Sequence, residues 1–162
     1  MVKVISPPTV EPVTVNDFEI WMQGLPITPE QKPMVESLLK AGREEAESYQ
    51  NRAYGEQTLQ ITSEKPGVIF LPRPPFRELI SVTVGGVDVT TQCEVDESTL
   101  PATIKVTGKA EITYTAGNNA VPERVRQAIL LYAAWAFRNR EGTGGIPPAF
   151  YALLQKNRVI PV

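Results

Sequence analysis

Four acidic residues near the middle of the chain are the best candidates for chemistry. Asp88, Glu94, Asp96 and Glu97 supply carboxylate oxygens, the ligands that hard cations such as Mg²⁺ and Ca²⁺ prefer. Their spacing matches no calcium-binding loop, so a solvated loop is the simpler interpretation. A nuclease that uses a carboxylate-bound metal is therefore only a remote alternative for this chain.

The residues that most enzymes use for acid–base and nucleophilic catalysis are missing. The chain has no histidine and a single cysteine, Cys93, which excludes Ser-His-Asp and Cys-His arrangements and makes a zinc site improbable. Gly142-Thr143-Gly144-Gly145 has the glycine content of a phosphate-binding loop, but it follows a helical pattern and precedes no Lys-Ser/Thr pair. The sequence therefore predicts a protein that is not an enzyme, with no catalytic residue, metal or cofactor.

Length and composition predict one folded domain over residues 1–162. The chain is 42% apolar and 21% charged, which is enough for a hydrophobic core. It has no apolar run near 18 residues, and its start lacks the pattern of a signal peptide, so we expect no membrane association. The single cysteine excludes an internal disulfide, which fits synthesis in a reducing cytoplasm.

Helical spacing of apolar residues predicts two long helices. Thr28-Pro29-Glu30-Gln31 resembles a helix cap, although Pro33 conflicts with a start there, and the apolar pattern then continues to a stop before Gly55. On this helix Glu44, Glu45 and Glu47 are expected to lie on a solvated face. The second helix begins at Val121-Pro122-Glu123 and runs to about Asn139.

Residues 57–116 change to a period of two, which predicts a small antiparallel sheet inserted between the helices. Gly85-Gly86 suits a tight hairpin, and a second hairpin is expected between 103–106 and 110–115. Residues 1–13 are expected to form an extended arm, 14–23 a short helix, and 146–162 a C-terminal helix and tail. The predicted fold class is α+β, a small bundle of two long helices and short terminal helices with an inserted sheet.

The helix from Val121 is apolar nearly all round. One stripe consists of the apolar residues Val125, Ala128, Ile129, Tyr132 and Ala136. Leu130 and Phe137 lie on the opposite side, and exposing each would forfeit about 1.5–3 kcal/mol, so something must cover them. Either another helix of the same chain covers this second stripe, or a neighbouring subunit does, in which case Leu130, Phe137 and Trp135 are candidate interface residues.

Positive charge is concentrated toward the C-terminus. Residues 1–120 carry ten lysines and arginines against sixteen acidic residues, whereas residues 121–162 carry six against two. Arg138, Arg140, Lys156 and Arg158 could contact DNA phosphates or an acidic protein surface, and any DNA contact would be non-specific. Alternatively, these side chains only solubilise the helix ends.

Four stretches of the sequence resemble the head–tail connector family of tailed phages, also called head-completion or adaptor proteins. In chain order these are Ile5-Ser6-Pro7-Pro8 with Glu11-Pro12-Val13-Thr14, residues 38–49, Leu71-Pro72-Arg73-Pro74-Pro75 with Ile80-Ser81-Val82, and Tyr114-Thr115-Ala116-Gly117 with residues 121–123, 128–131 and 139–141. Together they span most of the chain in the order that the family has. Such a protein would be encoded by a phage or a prophage.

The resemblance implies a structural role in the virion neck. Proteins of this family are made in the bacterial host cytoplasm and bind beneath the portal protein after DNA packaging, as a closed ring of roughly twelve copies. The ring extends the DNA channel and offers the tail, through a stopper or tail-completion protein, its attachment surface. The resemblance places residues 145–162 toward the portal, with Arg138, Arg140, Lys156 and Arg158 nearby. Another neck or tail component, such as a stopper or tail terminator, is the alternative.

Overall fold

A computed structural model describes residues 2–160, which divide into two compact units. The first unit contains residues 2–10, 51–119 and 159–160, and the second contains residues 11–50 and 120–158. Within the described residues there are four α-helices and two antiparallel sheets, so the predicted α+β class is confirmed. No helix in this part of the chain has both the length and the apolar character needed to cross a bilayer.

The first unit consists of two sheets. Their strands are β1 Val2–Ser6, β2 Gln57–Ser63, β3 Gly67–Phe70, β4 Phe76–Val84, β5 Val87–Asp88, β6 Val95–Asp96, β7 Thr103–Val106 and β8 Ala110–Ala116. One sheet has the order β1-β2-β8-β4-β5 and the other the order β3-β7-β6. Residues 2–6 of the expected extended arm therefore form an edge strand, paired antiparallel with β2. Met1 lies outside the described residues.

Alternating side chains of both sheets build the core of this unit. On β8, Ala110, Ile112 and Tyr114 lie on one face, and all three are buried. They join Leu59 of β2 and Ile104 of β7 in one apolar cluster. The single predicted sheet is thus two sheets that share a core, an arrangement that a period of two along the sequence does not specify.

One of the two predicted hairpins forms and the other does not. Gly85 and Gly86 have φ values of +57° and +85° and join β4 to β5, as a two-residue turn of the primed type requires. Strands β7 and β8 do not pair with each other, so the prediction of the second hairpin is wrong. Instead β7 lies between β3 and β6, while β8 lies between β2 and β4. Because β8 is paired along both of its edges, a hairpin with β7 would displace one of these longer ladders.

The second unit is helical, and its helix starts follow local capping. The helices are α1 Val15–Trp21, α2 Lys32–Gln50, α3 Glu123–Arg138 and α4 Pro148–Leu154. Thr14 caps α1: its hydroxyl accepts a hydrogen bond from the Asp17 amide, and the Asp17 carboxylate accepts one from the Thr14 amide. The amide of Thr28 donates to the side-chain oxygen of Gln31 at 3.1 Å, as the cap pattern predicts.

The conflict posed by Pro33 disappears because α2 starts later than the cap pattern suggests. The helix begins at Lys32, which places Pro33 in the first turn, where a missing N–H costs no helical hydrogen bond. The turn before it is held by hydrogen bonds from the Gln31 and Lys32 amides to the Thr28 carbonyl. The proline therefore starts the helix without interrupting it.

A glycine lets α2 and α3 approach each other closely. A Cβ at Gly42 would lie 3.1 Å from the Tyr132 ring and 3.2 Å from the Ile129 carbonyl oxygen. The facing stripe of α3 is buried at Val125, Ala128 and Ile129. The predicted main stripe of α3 therefore packs on α2.

The largest departure from the sequence expectation is a buried charge cluster on α2. Arg43 is 2% exposed and Glu47 is 1% exposed, so the expectation that Glu47 lies on a solvated face was wrong. Arg43 Nη1 lies 2.7 Å from Glu47 Oε2, and Arg43 Nε lies 2.7 Å from Glu11 Oε2. The carboxylate of Glu44 is 3.7 Å from Nη2. Burial of an arginine is tolerated only with such partners, which local periodicity cannot reveal because Glu11 is 32 residues away.

The carboxylates around Arg43 keep its side chain protonated. Burial alone lowers the pKa of Arg43, but the hydrogen bond to Glu11 and the charges of Glu47, Glu11 and Glu44 raise it above its ordinary value. A second arginine anchors the same N-terminal segment, since Arg126 of α3 donates to the Pro12 carbonyl at 2.6 Å and lies 3.5 Å from Asp17. Residues 11–17 are thus tied to both long helices.

We predict that Arg43→Ala lowers the free energy of unfolding by about 3–5 kcal/mol, the cost of removing one partner from a buried ion pair. Arg43→Lys should recover only part of the loss, because an ammonium group cannot reproduce the two directed bonds of the guanidinium. Urea unfolding followed by circular dichroism measures both, with the exposed Arg124→Ala as control. A loss below about 1 kcal/mol in Arg43→Ala would contradict a central role for the cluster.

Candidate functional site

The four acidic residues considered as cation ligands do not assemble into a metal site. Among residues 2–160, no group of three histidine, cysteine or acidic side chains is placed to hold a metal ion. Asp88 accepts hydrogen bonds from the hydroxyl and amide of Thr90, and Asp96 accepts the same pair from Ser98. These bonds lower the pKa of both carboxyl groups. The two aspartates therefore stabilise turns.

A polar groove in the first unit also lacks the groups that catalysis needs. It is lined by Ser6, Pro7, Thr9, Val10, Glu56, Gln57, Thr58, Thr115 and Asn119. Its one ionisable side chain, Glu56, lies 3.4 Å from the guanidinium of Arg77. The lining offers hydroxyl and amide groups but no second carboxylate to form an acid–base pair.

The second stripe of α3 is covered largely by the chain itself. Leu130 is 6% exposed, and the ring of Phe137 packs edge-on against Phe18 of α1, with centroids 5.6 Å apart. The contact between Phe137 and Phe18 favours the alternative in which another helix of the same chain covers the second stripe. Trp135, the third candidate interface residue, is partly exposed and makes an edge contact with Tyr132 at 5.8 Å.

Apolar side chains are exposed on α1 and on the turn that follows it. Ile20, Trp21 and Leu25 are 69%, 41% and 42% exposed, and we call these three residues the α1 surface. Phe18 of the same short helix is completely buried. Large apolar side chains exposed close together are typical of surfaces that bind another protein.

The exposure of the α1 surface could not be predicted from the sequence, because the helix is short. With only seven residues, α1 makes two turns, and periodicity cannot tell which of two apolar sides faces inward. Phe18 and Trp21 are three residues apart and are neighbours on the helix surface, so their spacing does not tell which of the two is buried. The fold buries Phe18 against Phe137 and leaves Trp21 partly exposed.

The four basic residues named from the sequence lie in the second unit with their charges accessible. Arg138, Arg140, Lys156 and Arg158 are all exposed, and within residues 2–160 no carboxylate forms a recorded ion pair with them. Arg138 Nη2 lies 3.9 Å from the sulfur of Met22, the residue after Trp21, so it borders the α1 surface. The Arg158 guanidinium lies over the Tyr49 ring, 4.9 Å from its centroid.

Comparison with solved structures places the fold among neck components of phage-like particles. A chain from the "Neck of empty GTA particle computed with C6 symmetry" matches with a TM-score of 0.79 at 19% identity, over 100% of this chain and 97% of that chain. A chain from the "Neck of native GTA particle computed with C12 symmetry" matches with a TM-score of 0.75 at 19% identity, with the same coverage. A chain from the "Virion of native gene transfer agent (GTA) particle" gives 0.78 at 17% identity, again over 100% and 97%.

These matches show a shared fold along the whole length of the chain. No protein-family model and no curated protein sequence matches it. At such low identity the likeness concerns the backbone, so the roles of individual side chains must be argued from their own surroundings.

We predict that Leu130→Ala lowers the free energy of unfolding by about 2–5 kcal/mol, because it leaves a cavity in a packed interior. Ile20→Ser should lower it much less, since the Ile20 side chain is 69% exposed. Chemical denaturation of the two variants measures both changes in the free energy of unfolding. If Leu130→Ala unfolds like the parent chain, Leu130 does not belong to the interior of the unit.

Proposed function

We propose that this chain is a structural subunit of the neck of a phage-like particle. In this role it forms a ring beneath the portal, extends the DNA channel and offers the tail its attachment surface after DNA packaging. The observation that carries the proposal is the fold likeness to neck chains over 100% of this chain and 97% of theirs. The family resemblance found in the sequence is independent of that comparison and points to the same particle region.

The proposed ring has cyclic symmetry. The matching necks are described with C6 and C12 symmetry, which supports a ring of about twelve copies for this chain. In such a ring each copy uses two different surfaces, one toward each neighbour. The exposed strand edges of the first unit and the α1 surface of the second unit are available for contacts of this kind.

The basic residues suit the partners that a neck subunit would meet. Arg138, Arg140 and Lys156 project charge without a carboxylate partner within the described part of the chain. Such charges can bind the DNA backbone non-specifically or an acidic surface of the portal. The proposed portal-facing segment is residues 145–162, of which the structure describes residues 145–160. The virion neck is accordingly the proposed location, with no role for a cofactor or for catalysis.

We predict that the purified chain binds the portal protein of its own particle and forms on it a ring of about twelve copies. Native mass spectrometry and negative-stain microscopy of the mixture measure the copy number and the position of the ring. A parallel mixture with the tail-tube protein distinguishes a stopper or tail terminator, which would bind the tube and leave the portal free. Binding to neither partner at high micromolar concentration would contradict the proposal.

We also predict that charge removal at Arg138, Arg140 and Lys156 weakens portal or DNA binding. Replacing all three with Gln should lower the affinity about tenfold or more at low salt, and should reduce the dependence of binding on salt concentration, because fewer counterions are released. Fluorescence anisotropy with labelled double-stranded DNA and with portal, each over a range of salt, identifies which partner the residues contact.

The matched control removes the same amount of charge elsewhere in the second unit. It carries glutamine at three exposed basic positions, Lys32, Lys40 and Arg124. If both triple variants lose affinity equally, the effect is one of net charge, and the assigned basic surface is wrong.

A further inference from the structure

The free sheet edges of the first unit differ greatly in length. The sheet orders leave β1 and β5 at the edges of one sheet and β3 and β6 at the edges of the other. β5 and β6 have two residues each, whereas β1 has five and β3 has four. Among the described edge strands, β1 and β3 are therefore the ones long enough to accept a strand from another chain. Strand β4 is also unpaired with any described strand on the side away from β8 over residues 76–81, but this stretch carries Arg77 and Glu78 and two irregularities of register, features that hinder pairing.

Strand β3 presents both apolar side chains and backbone groups at its free edge. Val68 is 61% exposed and Phe70 is 43% exposed. The Leu71 amide donates to the Ala102 carbonyl at 2.8 Å. Backbone groups alternate in direction from one residue to the next along an antiparallel strand, so the N–H and C=O of Ile69 also point toward β7. The same alternation turns the N–H and C=O of Val68 and Phe70 toward the free edge.

The edge of β3 lacks the features that usually prevent pairing between chains. The strand Gly67–Phe70 contains no charged residue and no proline, and its register with β7 is continuous. Uncovered apolar edges of this kind promote association, and natural proteins normally block them with charges, prolines or bulges. The edge of β1 is similar, with Val4 and Ile5 at 41% and 46% exposure, although it carries Lys3 and an irregularity between Val4 and Ser6.

Cyclic symmetry selects which edge can pair with which. If β3 paired with β3 of another copy, the contact would be two-fold and would end at a dimer. A ring needs a contact between two different surfaces, and β1 is the other edge strand of comparable length that carries exposed apolar side chains and one charge. We propose that the β3 edge of one copy pairs with the β1 edge of the next, so that strand addition between copies of this chain closes the ring. This inference rests on the proposed ring-forming function.

A proline at position 70 tests the pairing with little effect on the isolated fold. The Phe70 N–H faces the free edge, where an edge strand tolerates proline, and the preceding Ile69 is extended. Phe70→Pro should raise the concentration at which half of the chains assemble by about tenfold or more. Phe70→Thr, which keeps the N–H, should raise it less. Analytical ultracentrifugation measures assembly, and the melting temperature by circular dichroism shows that the variants fold.

Cross-linking tests the partner strand and does not depend on the proline variant folding. In a Cys93→Ser background, Val68→Cys is combined in turn with cysteine at Lys3, Val4 or Ile5 to sample the register. Because paired strands bring Cα atoms within disulfide range, at least one pair should give a covalent ladder of chains on non-reducing gels, and the single-cysteine variants should not. The ladder should run to the copy number of the ring.

The outcomes separate this inference from the function on which it rests. Rings that form on the portal but give no ladder, together with unchanged assembly of a folded Phe70→Pro variant, would overturn strand pairing and leave the neck role intact. Covalent dimers of the Val68→Cys single variant would also overturn it, because they indicate a two-fold contact. Failure to form any ring, with or without portal, would overturn both.

Discussion

The buried guanidinium of Arg43 is the constraint on which the second unit depends. A charge in this position costs several kcal/mol unless carboxylates surround it, and one of these comes from Glu11, far away in the sequence. Fixing Glu11 places the segment that leads to α1, where Arg126 holds the Pro12 carbonyl. That placement brings Phe18 against the outer stripe of α3. The ion cluster and Arg126 together hold the segment that leads to α1, in which Phe18 is buried and Trp21 is partly exposed.

Whether the sequence predicts a feature depends on how far apart along the chain the interacting residues lie. The short helix within residues 14–23, the Gly85-Gly86 turn and the helix that follows Val121 depend on neighbours within a few residues, and these predictions are confirmed. The pairing of β7 with β3 and the burial of Glu47 depend on residues tens of positions away, and both were missed. The cover of Leu130 and Phe137 also depends on residues far away in the chain: the sequence left open whether the same chain or a neighbouring subunit provides it, and Phe137 packs against Phe18 of α1.

The unusual features of the chain lie on its surface. Its ionisable groups are used in turns, in the buried cluster of α2 or as exposed charge, and the described residues hold no assembled metal-binding group. Its unusual features are instead exposed apolar groups, on α1 in one unit and on two strand edges in the other. The two kinds of surface belong to separate units.

The strand edges that we propose to pair between copies must not bind other strands indiscriminately. Their length and composition explain how an isolated chain avoids such pairing. An open series of contacts between two different surfaces produces a filament unless curvature closes it. The edge of β3 is only four residues long, and β1 carries Lys3 and a break in register, so one pairing is weak alone. Weak contacts become stable when a second partner holds the copies at high effective concentration. On the proposed assembly the portal supplies that template, and the number of copies is then set by the portal more than by the chain.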